Sequence, residues 1–216
     1  MSGKQVVIAV LAVMMCFLGA SAAAQDEVNQ LTGIIGRTII SDQGIPGAAY
    51  FNPFVRSGKG LTFEVNYSHR FFGTSIYAVS GEVPAVFNFD EDLNSGANVV
   101  PIDYRQIFVT PSVRVNLFPA TAVSPWVSIG GGFGRFSENK TLIYGGKNPG
   151  GSSTTGVMQA GFGLDVNPFQ NRFRRFGFRG EVRDFWSGTP DLPLAATGKS
   201  RQHNFFVGGG VVWHFK

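Results

Sequence analysis

The sequence contains a single cysteine, Cys16, among 216 residues. It lies inside an N-terminal apolar run, so a chain from which that run has been cleaved contains no cysteine. Disulfides and cysteine-based metal sites are then excluded, and the three histidines lack the spacing of a zinc site. The stability of the fold must therefore come from packing and hydrogen bonds.

Charge is also scarce, since Asp, Glu, Lys and Arg together make up 15% of the chain and the net charge is +4. Disordered chains need many charges and few aromatic residues, and nucleic-acid-binding proteins need clustered basic residues. Neither pattern is present, because the sequence has 21 phenylalanines and no basic stripe. Together with the 29 glycines, this composition indicates one β-sheet domain in a partly apolar setting, with no nucleic-acid partner.

Only one long apolar run exists, at residues 6–18, with Lys4 before it and small residues at 21–24 after it. This order predicts a cleaved Sec-type signal peptide at 1–24 and an exported domain at 25–216. An uncleaved membrane anchor is the alternative, but the apolar run is short for one. No later run approaches the ~18 apolar residues of a membrane helix. A membrane-embedded domain must therefore be a closed β-barrel, which satisfies every backbone polar group.

Alternation of apolar with small or polar residues predicts eight strands. The first strand is ambiguous, because LTGIIGRTII has apolar residues on both faces. Pro111 predicts a break in the fourth strand, since proline cannot donate to the ladder. The alternation is clearest in the last strand, whose apolar face we expect to contact lipid through Phe205, Val207, Val211, Trp213 and Phe215. The predicted strands are 31–40, 61–70, 75–84, 103–117, 125–136, 154–166, 177–186 and 204–215.

The connections between these strands alternate in length. The long ones are 41–60, 86–102, 137–153 and 187–201, and the short ones are 71–74, 118–124 and 167–176. An even number of strands with short periplasmic turns and long external loops is typical of outer-membrane barrels. The sequence therefore predicts an all-β fold, an eight-stranded antiparallel up-and-down transmembrane β-barrel with both chain ends at the periplasmic side.

Aromatic residues gather near the predicted strand ends, which indicates two interfacial girdles. We expect a periplasmic girdle of Phe71, Phe72, Phe118, Trp126, Phe169, Phe173, Trp213 and Phe215. We expect an outer girdle of Tyr50, Phe51, Phe87, Phe89, Phe136, Phe185 and Trp186.

Charged residues lie on the strand faces opposite the apolar ones, where glycine, serine and threonine are otherwise common. Buried charges must be paired, and both signs are present. We therefore predict an interior charge network of Glu64, Glu82, Arg114, Arg179, Glu181 and Arg183. Eight strands leave room only for side chains, so we expect a filled interior. A soluble lipocalin-like barrel is the alternative, but its outer face should carry more Lys and Glu.

With its signal peptide, four long loops, three short turns and a last strand ending Val211-Val212-Trp213-His214-Phe215, the chain resembles the barrel part of the OmpA/OmpX-type outer-membrane proteins. The resemblance implies the outer membrane of a Gram-negative bacterium, with membrane lipid and lipopolysaccharide around a monomeric barrel. In this family the aromatic terminal strand is recognised by the barrel assembly machinery. Here Lys216 follows Phe215, a departure from chains that end on the aromatic residue.

No catalytic constellation is evident, so we predict a structural or surface-interaction role without catalysis, cofactor or metal, and with an unnamed extracellular partner. A lipid A-modifying enzyme centred on His203, near Asp184 and Asp191, is one alternative, and a narrow solute pore is another. Ser68 and His69 alternate to opposite faces and do not form a catalytic pair. The basic turn Arg172/Arg174/Arg175 either contacts anionic lipid headgroups or is simply solvated.

Overall fold

The computed structural model describes residues 28–40, 43–44, 54–57, 60–94, 98, 101–168, 175–188 and 202–216. The predicted signal peptide, Asp191, Arg172, Arg174 and the girdle residues Tyr50, Phe51, Phe169 and Phe173 lie outside this part of the chain. The strands are β1 (Asn29–Ile40), β2 (Gln43–Gly44), β3 (Phe54–Ser57), β4 (Leu61–Gly73), β5 (Tyr77–Asn94), β6 (Asp103–Val109), β7 (Ser112–Leu117), β8 (Val123–Glu138), β9 (Ser152–Val166), β10 (Phe176–Ser187) and β11 (Gln202–Phe215). Within the described ranges, no helix is long and apolar enough to cross a membrane.

The strands close into a barrel because β1 pairs antiparallel with both β4 and β11. Each wall position pairs with its sequence neighbours, and β6 and β7 share one position between β5 and β8. This confirms the eight-stranded antiparallel up-and-down barrel. The predicted break is also confirmed, since β6 ends at Val109 and β7 begins at Ser112, on either side of Pro111.

The first short turn of the barrel contains fewer residues than predicted, and the second long loop begins later in the sequence. β4 continues through Gly73, so the turn at this end is 74–76 rather than 71–74. β5 runs on to Asn94, past the expected start of the second long loop at 86, because it keeps pairing with β6 and then with β3. The small strands β2 and β3 therefore form an extension of the wall at the loop end.

The exterior of the wall is a band of exposed apolar side chains. Ile35 is 59% exposed, Ile129 65% and Phe162 54%. A continuous apolar band of this kind far exceeds the patch that a water-soluble monomer exposes, and it therefore faces lipid. The structure determines which residues of β1 lie on each face of the wall. Leu31, Ile35 and Ile39 point outward, whereas Thr32, Ile34, Thr38 and Ile40 point inward. The faces of the last strand follow the same rule: Phe205, Val207, Val211 and Trp213 are exposed, and Phe215 is half-buried and stacks on Trp213.

The interior has two layers of different chemistry along the barrel axis. Toward the loops lies an apolar cluster that includes Phe108, Phe136, Phe185 and Phe206. The rings of Phe108 and Phe185 stack with centroids 4.8 Å apart. Toward the turns lies a layer of buried charged and polar residues, described below. The lumen is therefore filled with side chains, as an eight-stranded barrel requires.

Four of the expected girdle residues are in fact interior residues. Trp126, Phe136 and Phe185 are 1% exposed or less, because their positions in β8 and β10 alternate to the inner face. Phe72 is buried as well, because β4 continues through Gly73 and its alternation places Phe72 on the inner face. The remaining described girdle positions are exposed or half-buried, namely Phe71, Phe87, Phe89, Phe118, Trp186, Trp213 and Phe215.

Candidate functional site

Arg183 of β10 is the centre of the charged interior layer. Its Nε and Nη2 donate to the two oxygens of Glu181 at 2.6 and 3.2 Å, and its Nη1 donates to Glu82 at 2.8 Å. The Nε atom also lies 3.3 Å from a carboxylate oxygen of Glu64. All four side chains are fully buried. One guanidinium thus holds three carboxylates from three strands.

Arg179, four residues closer to the turns on β10, pairs with a carboxylate outside the predicted network. It forms a bidentate pair with Asp165 of β9, with Nε and Nη2 donating at 2.6 and 2.8 Å. Asp165 also accepts from Asn116 Nδ2 and Trp126 Nε1, each at 3.2 Å. Asp165 is not among the residues predicted for the network. Two features of the sequence point to its inclusion. Asp165 lies on the inward face of β9, and its negative charge is opposite to that of an arginine on the neighbouring strand.

Arg114 of β7 links the two parts of the layer. Its Nη1 lies 3.5 Å from Glu82, and its Nη2 donates to Gln30 Oε1 at 2.6 Å. Arg179 Nη2 donates to the same Gln30 oxygen at 3.3 Å. Gln30 therefore bridges two arginines that would otherwise repel each other across the lumen.

Trp126 occupies the middle of the layer. The guanidinium carbons of Arg114, Arg179 and Arg183 lie 5.7, 5.2 and 5.1 Å from the ring centroid. At these distances the ring face attracts cations. Gly163 makes room for the indole, because a Cβ there would lie 2.5 Å from a ring carbon. An aromatic residue placed by sequence at the membrane interface is thus the packing partner of the buried arginines.

On the exterior, His203 lies at the loop end of the wall, between β10 and β1. Its Nδ1 is 2.8 Å from Asp184 Oδ2. The imidazole stacks between Trp186 and Phe205, with centroids 5.3 and 5.8 Å away. Asp184 holds the ring in a fixed orientation, so the pair has the geometry of a base and its orienting acid.

Beyond the rim, a folded hairpin at residues 139–151 connects β8 to β9. Thr141 bridges to Lys147, and Gly145 and Gly146 turn the chain with φ of 88° and 105°, which glycine adopts without strain. The hairpin is tied to the neighbouring loop, because Asn98 donates to Gly145 O and accepts from the Tyr144 amide, both at 3.0 Å. Tyr144 at its tip is 66% exposed.

No protein-family model matches the sequence, and no curated protein matches it. Solved structures do match in fold. Neisserial surface protein A aligns with 87% of this chain and 97% of its own at a TM-score of 0.52 and 11% identity. The chain has the fold of the eight-stranded outer-membrane barrels. The N-terminal barrel of Pseudomonas aeruginosa OprF aligns at 0.48 and 11% identity over 88% and 98% of the two chains. Pseudomonas aeruginosa OprG aligns at 0.47 and 11% over 92% and 99%.

Proposed function

We propose that this protein is a surface-contact protein of the Gram-negative outer membrane, in which a filled barrel holds external loops rigidly for contact with a partner. The observation that supports the proposal is the contrast between the two ends of the molecule. The lumen is occupied by an ionic and an aromatic layer, while the hairpin 139–151 is folded, tethered and exposed at the rim. Export would use the predicted signal peptide at 1–24, and insertion the barrel assembly machinery.

The filled interior argues against transport. A conducting path would have to pass both the Arg183 cluster and the stacked rings of Phe108 and Phe185, which are buried and in mutual contact. Planar-bilayer recordings of the purified protein should show no stable open channels. A regular, stable conductance would contradict the proposal and favour the narrow-pore alternative.

The proposed contact surface is the tip of the hairpin, where Tyr144 lies between Lys140 and Lys147. All three side chains are exposed. A rigid exposed tyrosine loses little conformational freedom on binding, and the two lysines favour an anionic or mixed partner surface.

The test compares cells expressing the parent protein, Tyr144→Ser, or Lys140→Ser/Lys147→Ser. The readout is adhesion to glass, to an immobilised anionic polysaccharide and to immobilised serum protein. Expression should raise adhesion to at least one surface, and the hairpin variants should lose that gain. Lys216→Ser removes one positive charge at the opposite end and is the matched control. No gain on any surface, or an equal loss in the control, would contradict the contact role.

The contact between His203 and Asp184 favours a second candidate, an enzyme acting on lipid A in the outer leaflet. A hydrolase also needs a nucleophile, and Ser187, which follows Trp186, is buried on the inner face and donates to Gln202 O. Mass spectra of lipid A from cells expressing the parent protein or His203→Ala decide between the two candidates. Spectra that do not change on expression would eliminate the enzyme.

A further inference from the structure

The exterior of the wall carries two neighbouring arginines at the loop end of β6 and β8. Arg105 lies opposite Ser137, and Arg135 lies opposite Ile107 two residue pairs lower, on the same face. This diagonal placement on one face puts their Cβ atoms roughly 7–8 Å apart. Both side chains are exposed, and both are long enough to reach a common point between the strands.

Three hydroxyl groups surround the two arginines. Thr154 of β9 is the cross-strand partner of Arg135, and Ser152 is the partner of Ser137. Within the described part of the chain, none of these five side chains makes a hydrogen bond or ion pair. The set Arg105, Arg135, Ser137, Ser152 and Thr154 is called the donor patch below. It offers two guanidinium groups and three hydroxyl groups, and no described carboxylate pairs with it.

Two adjacent like charges on one sheet face destabilise that face unless a counter-charge lies between them. The described acidic residues of the same edge do not pair with the donor patch. Asp103 lies two residues nearer the loops, opposite Asp92, and its carboxylate accepts from Asn139 Nδ2 at 2.7 Å. Glu138 is buried on the inner face. Among the described side chains no carboxylate pairs with the donor patch, so an anionic acceptor from outside the chain can complete it.

The position of the donor patch indicates what supplies that acceptor. Directly below it the exposed side chains are Phe133 and Met158, which belong to the lipid-facing band. The patch thus lies at the boundary between hydrocarbon and headgroups, on the loop side. Arginine pairs bind phosphate through parallel N–H···O bonds, and hydroxyl groups add further donors.

We propose that the donor patch is a binding site for a phosphate group of lipid A, the phosphorylated lipid of the outer leaflet. The site rests on the proposed outer-membrane location, but it does not depend on the surface-contact role of the hairpin. One lipopolysaccharide molecule is held at the β6–β8–β9 side of the barrel, with its phosphate between Arg105 and Arg135 and its acyl chains against Phe133 and Met158.

The test uses purified full-length barrel in non-ionic detergent micelles, titrated with lipid A and followed by native mass spectrometry. Each arginine–phosphate contact is expected to be worth about tenfold in affinity. Arg105→Gln/Arg135→Gln should therefore weaken binding about a hundredfold, and each single substitution about tenfold. The weakening should be smaller at high salt, because screening reduces the contribution of exposed charges.

Arg37→Gln is the matched control, since Arg37 is also exposed at the loop end of the exterior but stands alone on β1. It should change the affinity less than about threefold. Dephosphorylated lipid A should bind the parent as weakly as lipid A binds the double variant. Phosphatidylglycerol and inorganic phosphate should bind at least about tenfold more weakly than lipid A.

Unchanged binding by the double variant would overturn the proposal. An equal loss of affinity in Arg37→Gln, or equal binding of dephosphorylated lipid A, would overturn it too. Equal binding of phosphatidylglycerol or inorganic phosphate would also overturn it, since the site would then be a general anion surface. All variants should keep the heat-modifiable gel migration of the parent, and the single variants remain informative if the double variant does not fold. Tyr144→Ser, which tests the hairpin, should leave the titration unchanged, so the two proposals fail separately.

Discussion

Replacing Arg183 with methionine should destabilise the barrel more than almost any other single change. The guanidinium is fully buried and contacts Glu181, Glu82 and Glu64 at 2.6, 2.8 and 3.3 Å. Methionine keeps much of the volume beside Trp126 but leaves these carboxylates without their common partner. Removing one member of a buried ion pair costs about 3–5 kcal/mol because the other charge stays buried. Of these three carboxylates, only Glu82 still has an arginine nearby in the variant, namely Arg114 at 3.5 Å.

The free energy of unfolding is measured in lipid vesicles by urea titration, with tryptophan fluorescence as the readout. Arg183→Met should lose about 3–5 kcal/mol. Adding Glu64→Gln and Glu181→Gln to Arg183→Met should restore part of the loss, because two uncompensated charges disappear. Arg37→Met, an exposed exterior arginine, should differ from the parent by no more than about 0.5 kcal/mol. If Arg183→Met unfolds like the parent, the charged layer does not stabilise the barrel in the way described.

The same titration tests three further predictions. Glu64→Gln should cost less than about 1 kcal/mol, because the nearest arginine contact of Glu64, at 3.3 Å, is longer than the nearest contact of any other carboxylate in the layer and its oxygens accept no hydrogen bond in the described structure; a loss equal to that of Glu82→Gln would refute this. Phe108→Ala should cost about 3–5 kcal/mol by opening a cavity in the aromatic layer, and a loss below 1 kcal/mol would mean that the layer is loosely packed. Ile129→Lys should cost about 2–4 kcal/mol and Thr154→Lys about 0–1 kcal/mol, since the cost of a lipid-facing charge depends on depth; equal costs would argue against the assigned membrane boundary.

The wall of the barrel could be predicted from the sequence because its exterior is uniform. Lipid requires an apolar side chain at nearly every outward position, so period-two alternation is strong in strands such as β4 and β11. The interior is not uniform, and this is where prediction failed. The aromatic layer places apolar residues on the inner face, so β1, with Ile34 inside and Ile35 outside, shows no alternation.

Two physical reasons explain why some residues predicted at the girdles lie inside the barrel. Trp126 and Phe185 lie near strand ends, which predicts an interfacial position, although the alternation of their own strands places them inward. Phe72 lies in a predicted turn, but β4 continues through Gly73. The alternation of β4 therefore extends to Phe72 and places it on the same inner face as Glu64.

The charged residues of the interior could be identified by face and sign, but their partners could not. Glu181 lies two residues from Arg183 on the same strand, whereas Asp165 pairs with Arg179 across strands. Which carboxylate meets which arginine depends on the stagger of the strands. That stagger follows from barrel closure, and it cannot be predicted from the sequence of any one strand.

The barrel has a lipid-facing exterior around a filled lumen, and labels along the last strand can test this arrangement. Once the predicted signal peptide is removed the chain has no cysteine, so single cysteines can be placed along β11 and labelled with nitroxide in lipid vesicles. The labels at 205, 207, 211 and 213 should collide with lipid-soluble oxygen and be shielded from a water-soluble nickel complex. Labels at 206 and 212, where Phe206 and Val212 are buried, should be shielded from both. Access of the nickel complex to the first four positions, or no alternation along the strand, would contradict a membrane barrel with this register.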